Sequence, residues 1–324
     1  MTPPRQILPG QLCFITVRAV NRCHRFAPTR KALEIIWFCL ACTLHKYRGR
    51  IELHEFLWMS NHYHVVLTDR GACLPRFMEE LDSLLARALN ALYGISGTAI
   101  EKGYNLVAVE PDAKAIEHCV YTLANPCRAH LVKRSRHWQG VSSLTLDYSV
   151  PIMLRRPRHG LWSGACEHLR GKASQGSKRA RFGGRTKLPE EIELVLTRPP
   201  VMLDLSDAEL RRHIRERLDE RELALSAERR ARRASVMGWR AARRVSIWAT
   251  PQTEERFGLV PSFSADTSKG RIAAWGRRLD FLEDYYEALA RFVDGEHDVA
   301  FPEGTWLMRE RFKVRCDPLA IAAV

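Results

Sequence analysis

Residues 51–68 read IELHEFLWMSNHYHVVLT. Two runs rich in β-formers, Ile51 to Met59 and His62 to Thr68, flank Ser60-Asn61. Such runs read as strands, and a two-residue polar link between them reads as a tight turn. The stretch is therefore expected to be an antiparallel hairpin. Alternate side chains of a strand share a face. His62, His64 and Val66 then face one way, and Tyr63, Val65 and Leu67 the other.

Outward from the hairpin, the same periodicities supply its neighbours. Leu12 to Val20 alternates like a half-buried strand. Thr29 caps an expected helix from about 30 to 47, with Leu33, Ile36, Trp37, Leu40 and Leu44 on one face. Pro75 opens a second helix ending near Gly94, with Phe77, Leu81, Leu84, Leu85 and Leu89 at helical spacing. Asn105 to Glu110 is a short strand. Pro111-Asp112 starts a third helix reaching about Ala124, which Asn125-Pro126 should end or bend. The order β-α-β-β-α-β plus a last helix predicts an α+β, ferredoxin-like fold: an antiparallel sheet with helices on one face. The other face is expected to be free for a ligand, with the last helix beside it.

The chain has 324 residues, of which 46% are hydrophobic and 27% charged, in the range of globular proteins. Its formal net charge is +14, which favours a polyanionic partner, nucleic acid ahead of an acidic membrane surface. The longest apolar run, around Ile35 to Cys42, is far too short to span a bilayer. The start, Met1-Thr2-Pro3-Pro4-Arg5, lacks a secretory apolar segment. Nine cysteines, an odd number, then suit reduced thiols in the cytoplasm. Cys39 and Cys42 form the one C-x-x-C pair, inside an apolar run; they read as core residues one turn apart rather than half of a zinc site.

Three segments are expected: a catalytic unit over 1–150, a basic linker over 151–205, and a mainly helical region over 206–324 that is a second candidate for DNA contact. Between Arg155 and Lys187, ten Lys or Arg face a single acid, Glu167. Arg155, Arg156, Arg158, Lys178, Arg179 and Arg181 are the candidates for phosphate contacts, which give salt-sensitive affinity without sequence information. Residues 206–244 form an Arg-dense helical stretch whose opposite charges pair along the helix. The aromatic residues beyond it imply a second packed unit, and tryptophans beyond residue 230 are assigned to core rather than to base stacking.

Chemistry is expected where two patterns meet. Neutral imidazoles at 62 and 64 stand side by side, with Cα atoms roughly 6–7 Å apart, and can converge on one cation. Tyr121 and Asn125 are four apart on the third helix and project from one face. A phenol beside an activated phosphate can attack phosphorus, and a carboxamide oxygen can be a third ligand. Mg²⁺ or Mn²⁺ would polarise the phosphate and offset transition-state charge. Tyr104 and Tyr148 are rival nucleophiles, without a ligand-capable residue four positions on.

Met59-Ser60-Asn61-His62-Tyr63-His64, followed by Tyr121-Thr122-Leu123-Ala124-Asn125-Pro126-Cys127-Arg128-Ala129-His130-Leu131-Val132, resembles the single-tyrosine transposases of the HUH superfamily. The likeness is to the REP-associated tyrosine transposases and covers about 12–144. The resemblance implies His62, His64 and Asn125 as metal ligands and Tyr121 as nucleophile. It also implies a single-stranded DNA substrate, hairpin or repeat, cut and rejoined through a 5′-phosphotyrosine by a monomer or homodimer. Ser60 stands where the family often has Pro, and Glu101 to Asn105 is only loosely like the family's aromatic-Gly-Arg segment. A domesticated, catalytically idle nucleic-acid-binding protein on the same fold is the alternative.

Overall fold

The computed structural model describes residues 3–162, 188–251 and 261–319. Strand β1 (Gln11–Arg18) leads to helix α1 (Arg30–Lys46), then β2 (Ile51–Trp58), β3 (His62–Asp69), α2 (Leu74–Tyr93), β4 (Asn105–Val109) and α3 (Ala113–Arg128). The sheet order is β2-β3-β1-β4, extended by a two-residue strand, β7 (Phe263–Ser264). All pairs among the first four strands are antiparallel, and β7 joins β4 in parallel. This is the ferredoxin-like arrangement expected, with one strand added from the distant C-terminal part.

The local reasons match the sequence. Thr29 Oγ1 accepts from the Ala32 amide at the start of α1, Pro75 sits in the first turn of α2, and Gly94 closes α2 in the left-handed region (φ 65°), where a side chain would be strained. Tyr63, Val65 and Leu67 are all fully buried. The phenol of Tyr63 donates to Asp82 of α2, so this face of β3 lies under the helices.

The opposite face is not left free over β2. There, α3 packs on β2 and β3, and a long helix, α4 (Asp207–Ala231), packs in turn on α3. Ser206 and Glu209 form a reciprocal cap at its start. Leu210, Ile214, Leu218 and Leu225 belong to the same core cluster as the sheet. Covering both faces explains why β2 is buried almost throughout. His54 is the extra residue of a β-bulge between Leu53 and Glu55, and a bulge re-aims the side chains that follow. Glu55 is thereby buried with Arg211 of α4, Tyr148 and Ser143.

Helix α3 continues through Pro126 to Arg128, beyond the end expected at Ala124. Proline removes its own N–H and crowds the carbonyl four residues back. The helix nevertheless runs on for two more residues, and the Ala129 amide closes its last turn on the Asn125 carbonyl at 2.9 Å.

Between α3 and α4, β5 (Ile152–Arg155) pairs with β6 (Glu191–Leu194) as a two-stranded ribbon. After α4 come α5 (Trp239–Arg244), β7, α6 (Ser268–Val293) and α7 (Leu307–Phe312). A small separate cluster, including Phe281, Tyr285, Phe301 and Met308, packs under α6. Trp248 and Trp275 are exposed (58% and 51%), in contrast to the core role expected for them.

Candidate active site

His62 and His64 lie opposite Arg18 and Thr16 across the β1–β3 pairing. Their ring centroids are 4.9 Å apart, so the strand period places both imidazoles together as expected. Each has its Nδ1 engaged. That of His62 lies 2.8 Å from Asn61 Oδ1, and that of His64 lies 2.9 Å from Thr16 Oγ1. An Nδ1–H that donates to these oxygens leaves each Nε2 with a lone pair, the orientation that second-shell hydrogen bonds give to metal-binding histidines. His64 Nε2 is buried without a hydrogen-bond partner.

Burial, followed by the charges of Arg18, Arg22 and Arg128, pushes the His62 imidazole down to about 4. Burial and the neighbouring His62 hold His64 well below its ordinary value. Both rings are therefore neutral at pH 7, as ligands must be. The same three guanidiniums give the site a positive field, suited to a phosphate.

Helix α3 carries the other half. The Tyr121 ring lies 5.6 Å from His64 and 5.6 Å from Phe14, edge-on to both. Arg128, seven residues on, donates to the Tyr121 hydroxyl and lies 5.0 Å over its ring. Asn125, one turn beyond Tyr121, is buried, and its Nδ2 has no partner. It lies inside α3, three residues before the last helical residue, Arg128. Unsatisfied buried polar groups are costly, and one of them, His64 Nε2, stands at a predicted ligand position; the unpaired Asn125 atom is the Nδ2 donor, whereas a cation would take the carboxamide oxygen. Two imidazole nitrogens and a carboxamide oxygen make a neutral, mixed nitrogen and oxygen donor set of the kind that can hold a divalent cation. Among the described residues, no group of three or more His, Cys, Asp or Glu could hold a metal ion.

Of the rival tyrosines, Tyr148 is buried with its hydroxyl 2.7 Å from Glu55, and burial pushes its phenol up. Tyr104 lies under the Arg5 guanidinium at 4.5 Å. Of the three, Tyr121 is the one whose ring meets His64.

Sequence reading missed the supporting residues. Thr16 and Phe14 sit on β1, and only the strand pairing brings them to His64, on which Phe14 stacks at 5.3 Å. Arg128 follows Tyr121 by two helical turns, a spacing that signals it in retrospect. His118, one turn before Tyr121, lies 4.7 Å from Phe14, and burial pushes it down to about 4.

The basic candidates divide. Arg155 pairs with Glu191 at 3.0 Å, Arg156 with Glu190, and Arg158 is exposed. Lys178, Arg179 and Arg181 lie outside the described residues. A cleft of about 1290 Å³ bordered by Arg155, Arg156 and Arg158 also has Trp37, Trp239 and Arg243 in its wall, and none of the four candidate active-site residues.

No family model matches the chain, and no curated protein matches it. The solved structures similar to part of it include the following two. A REP-associated tyrosine transposase bound to a REP hairpin has a TM-score of 0.39 at 15% identity, over 45% of this chain and 84% of that one. A candidate transposase from Deinococcus radiodurans R1 has a TM-score of 0.28 at 15% identity, over 36% of this chain and 91% of that one.

Proposed function

We propose that the chain is a divalent-metal-dependent, single-tyrosine transposase acting on single-stranded DNA that forms hairpins or repeats. One observation carries the reading: the Tyr121 ring stands 5.6 Å from His64, whose outward nitrogen is buried and unpaired. His62, His64 and Asn125 would hold Mg²⁺ or Mn²⁺. When bound, the cation would polarise the scissile phosphate and offset charge in the transition state. The Tyr121 oxygen attacks phosphorus, a 5′-phosphotyrosine bond forms, and the bond to the 3′ oxygen breaks. The phenolic proton passes to solvent and the 3′ oxygen leaves as a hydroxyl. Rejoining reverses these steps with an incoming 3′-hydroxyl, and Arg128 then donates to the departing phenol oxygen.

The described helices include none long and apolar enough to cross a membrane. The eight described cysteines are free thiols, which suits a cytoplasmic location.

A labelled single-stranded hairpin with Mn²⁺ tests the reading. Wild type should form a covalent adduct that survives denaturing gels, and Tyr121→Phe should form none; equal adduct from both would exclude the mechanism. The competing reading, an idle DNA-binding protein, draws on the small number of strong ligands at the site. It predicts DNA binding that is indifferent to Mn²⁺ and no adduct.

A further inference from the structure

After β1 the chain passes through a loop that lies beside the candidate site. The Phe26 amide bonds to the Ser60 carbonyl at 2.8 Å and the Ala19 amide to the Asn61 carbonyl at 2.8 Å, so this loop is fastened to the turn before His62. On its other side it is fastened to the segment after α5. The His24 amide bonds to the Ala249 carbonyl at 3.1 Å, and Cys23 Sγ lies 3.7 Å from the Trp248 carbonyl. Between the two attachments sits Arg25, only 5% exposed. Its guanidinium lies 3.9 Å over the Trp248 ring. Its Nε and Nη1 are buried without hydrogen-bond partners, and no carboxylate among the described residues pairs with it.

A buried guanidinium without a counter-charge is costly, and contact with an indole face offsets only part of that cost. Trp248 is itself 58% exposed, so one face of the indole is occupied by Arg25 while much of the ring meets solvent. Two demands remain open: an aromatic surface without a partner and a positive charge without an anion. A nucleotide meets both, through its base on the indole and its phosphate against the charge. Duplex bases are already stacked on each other, so the fitting form is single-stranded.

We infer that Trp248, backed by Arg25, is a stacking platform for one base of a single strand next to the candidate active site. The choice of DNA as ligand rests on the proposed function; the platform itself rests on the geometry of this loop.

Fluorescence anisotropy of the full chain with oligo(dT), and with an abasic strand of equal length, tests it. The abasic strand keeps the phosphates and removes the bases. Wild type should bind oligo(dT) more tightly. Trp248→Ala should weaken oligo(dT) binding about tenfold and abasic binding by less than about twofold, while Trp248→Phe keeps most of the affinity. Unchanged melting of both variants by circular dichroism shows that the fold is retained. Equal loss on the two strands, or no loss on oligo(dT), overturns the platform. So does a change in sedimentation of Trp248→Ala with DNA affinity unaltered, which would assign the face to a protein contact. Wild type that binds neither strand overturns both this inference and the proposed function. A covalent adduct that persists while the base-dependent loss is missing removes the platform alone. A base-dependent loss without any adduct leaves the platform in a DNA-binding protein.

Discussion

The two halves of the candidate site are built differently. The histidines stand on β3, hydrogen-bonded to β1 on one side and β2 on the other, so the sheet register fixes them with groups close in space. Tyr121 and Asn125 stand on α3, whose position depends on α4, a helix that begins 86 residues after Tyr121. Arg211 of α4 is 1% exposed and paired with the fully buried Glu55. Glu222 of the same helix accepts from the Ser135 amide at 2.6 Å and from Arg134 at 3.1 Å, just beyond the end of α3. The nearer half is a local product of strand alternation. The farther half is assembled by a distant helix, and substitutions should separate the two.

The largest effect is expected from Arg211→Ala. It leaves Glu55 buried with its charge uncompensated, a change that typically costs about 3–5 kcal/mol. The urea midpoint should fall accordingly. Arg215→Ala, which removes an exposed pair with Asp147, should change stability by less than about 1 kcal/mol. Similar losses from the two would show that α4 is not clamped through Glu55.

Acid should act next, through His54 at the bulge. Its Nδ1 lies 2.8 Å from the Thr197 carbonyl and its Nε2 lies 2.7 Å from Thr68 Oγ1. The ring is neutral in this arrangement, and burial pushes its pKa down to about 4. Between about pH 6.5 and 4 the unfolded chain binds the proton and the folded chain does not, so stability falls as pH falls through that window. The contribution of this residue is on the order of 3 kcal/mol across the window. Thermal melts from pH 7 to 4 should show a steeper decline for wild type than for His54→Gln. Parallel curves would mean that the ring is not buried neutral.

These expectations also mark what could be read from residues alone. The alternation of residues 62–68 placed both imidazoles on one face, and the spacing of 121 and 125 placed phenol and carboxamide together; both are local periodicities. The bulge at His54 has no such signal: plain alternation groups Glu55 with Ile51 and Leu53, whereas the bulge carries it to the face of Val66 and His64. Charges at 211 and 222 read as members of a solvated helix, because pairs within a helix satisfy them on paper. Only the packing of α4 on α3 shows that they point inward. The continuation of α3 through Pro126 likewise depends on tertiary closure of its last turn. Trp248 reads as core by residue type, and its exposure follows from a loop that no periodicity describes.

Glu222→Gln should weaken the farther half. It keeps the shape but removes a charged acceptor, at about 1–3 kcal/mol of stability. Adduct formation on the hairpin should slow by about tenfold even at saturating Mn²⁺, because a displaced phenol is not corrected by filling the cation site. A wild-type rate would mean that the α3 end needs no support from α4.

Thr16→Val probes the nearer half with the smallest change. It removes the oxygen 2.9 Å from His64 Nδ1 and leaves the strand and its β-branched shape intact. Without that partner the imidazole loses its fixed tautomer and ring orientation, and loss of such a partner commonly weakens metal binding by about tenfold. Calorimetric titration with Mn²⁺ should show the weaker binding, and raising Mn²⁺ should restore the adduct rate, because the phenol has not moved. Glu222→Gln should behave in the opposite way, with its defect persisting at every Mn²⁺ concentration. If both variants are rescued by Mn²⁺, or neither is, the two halves are not held independently, and the distinction between a strand-fixed and a helix-supported half fails.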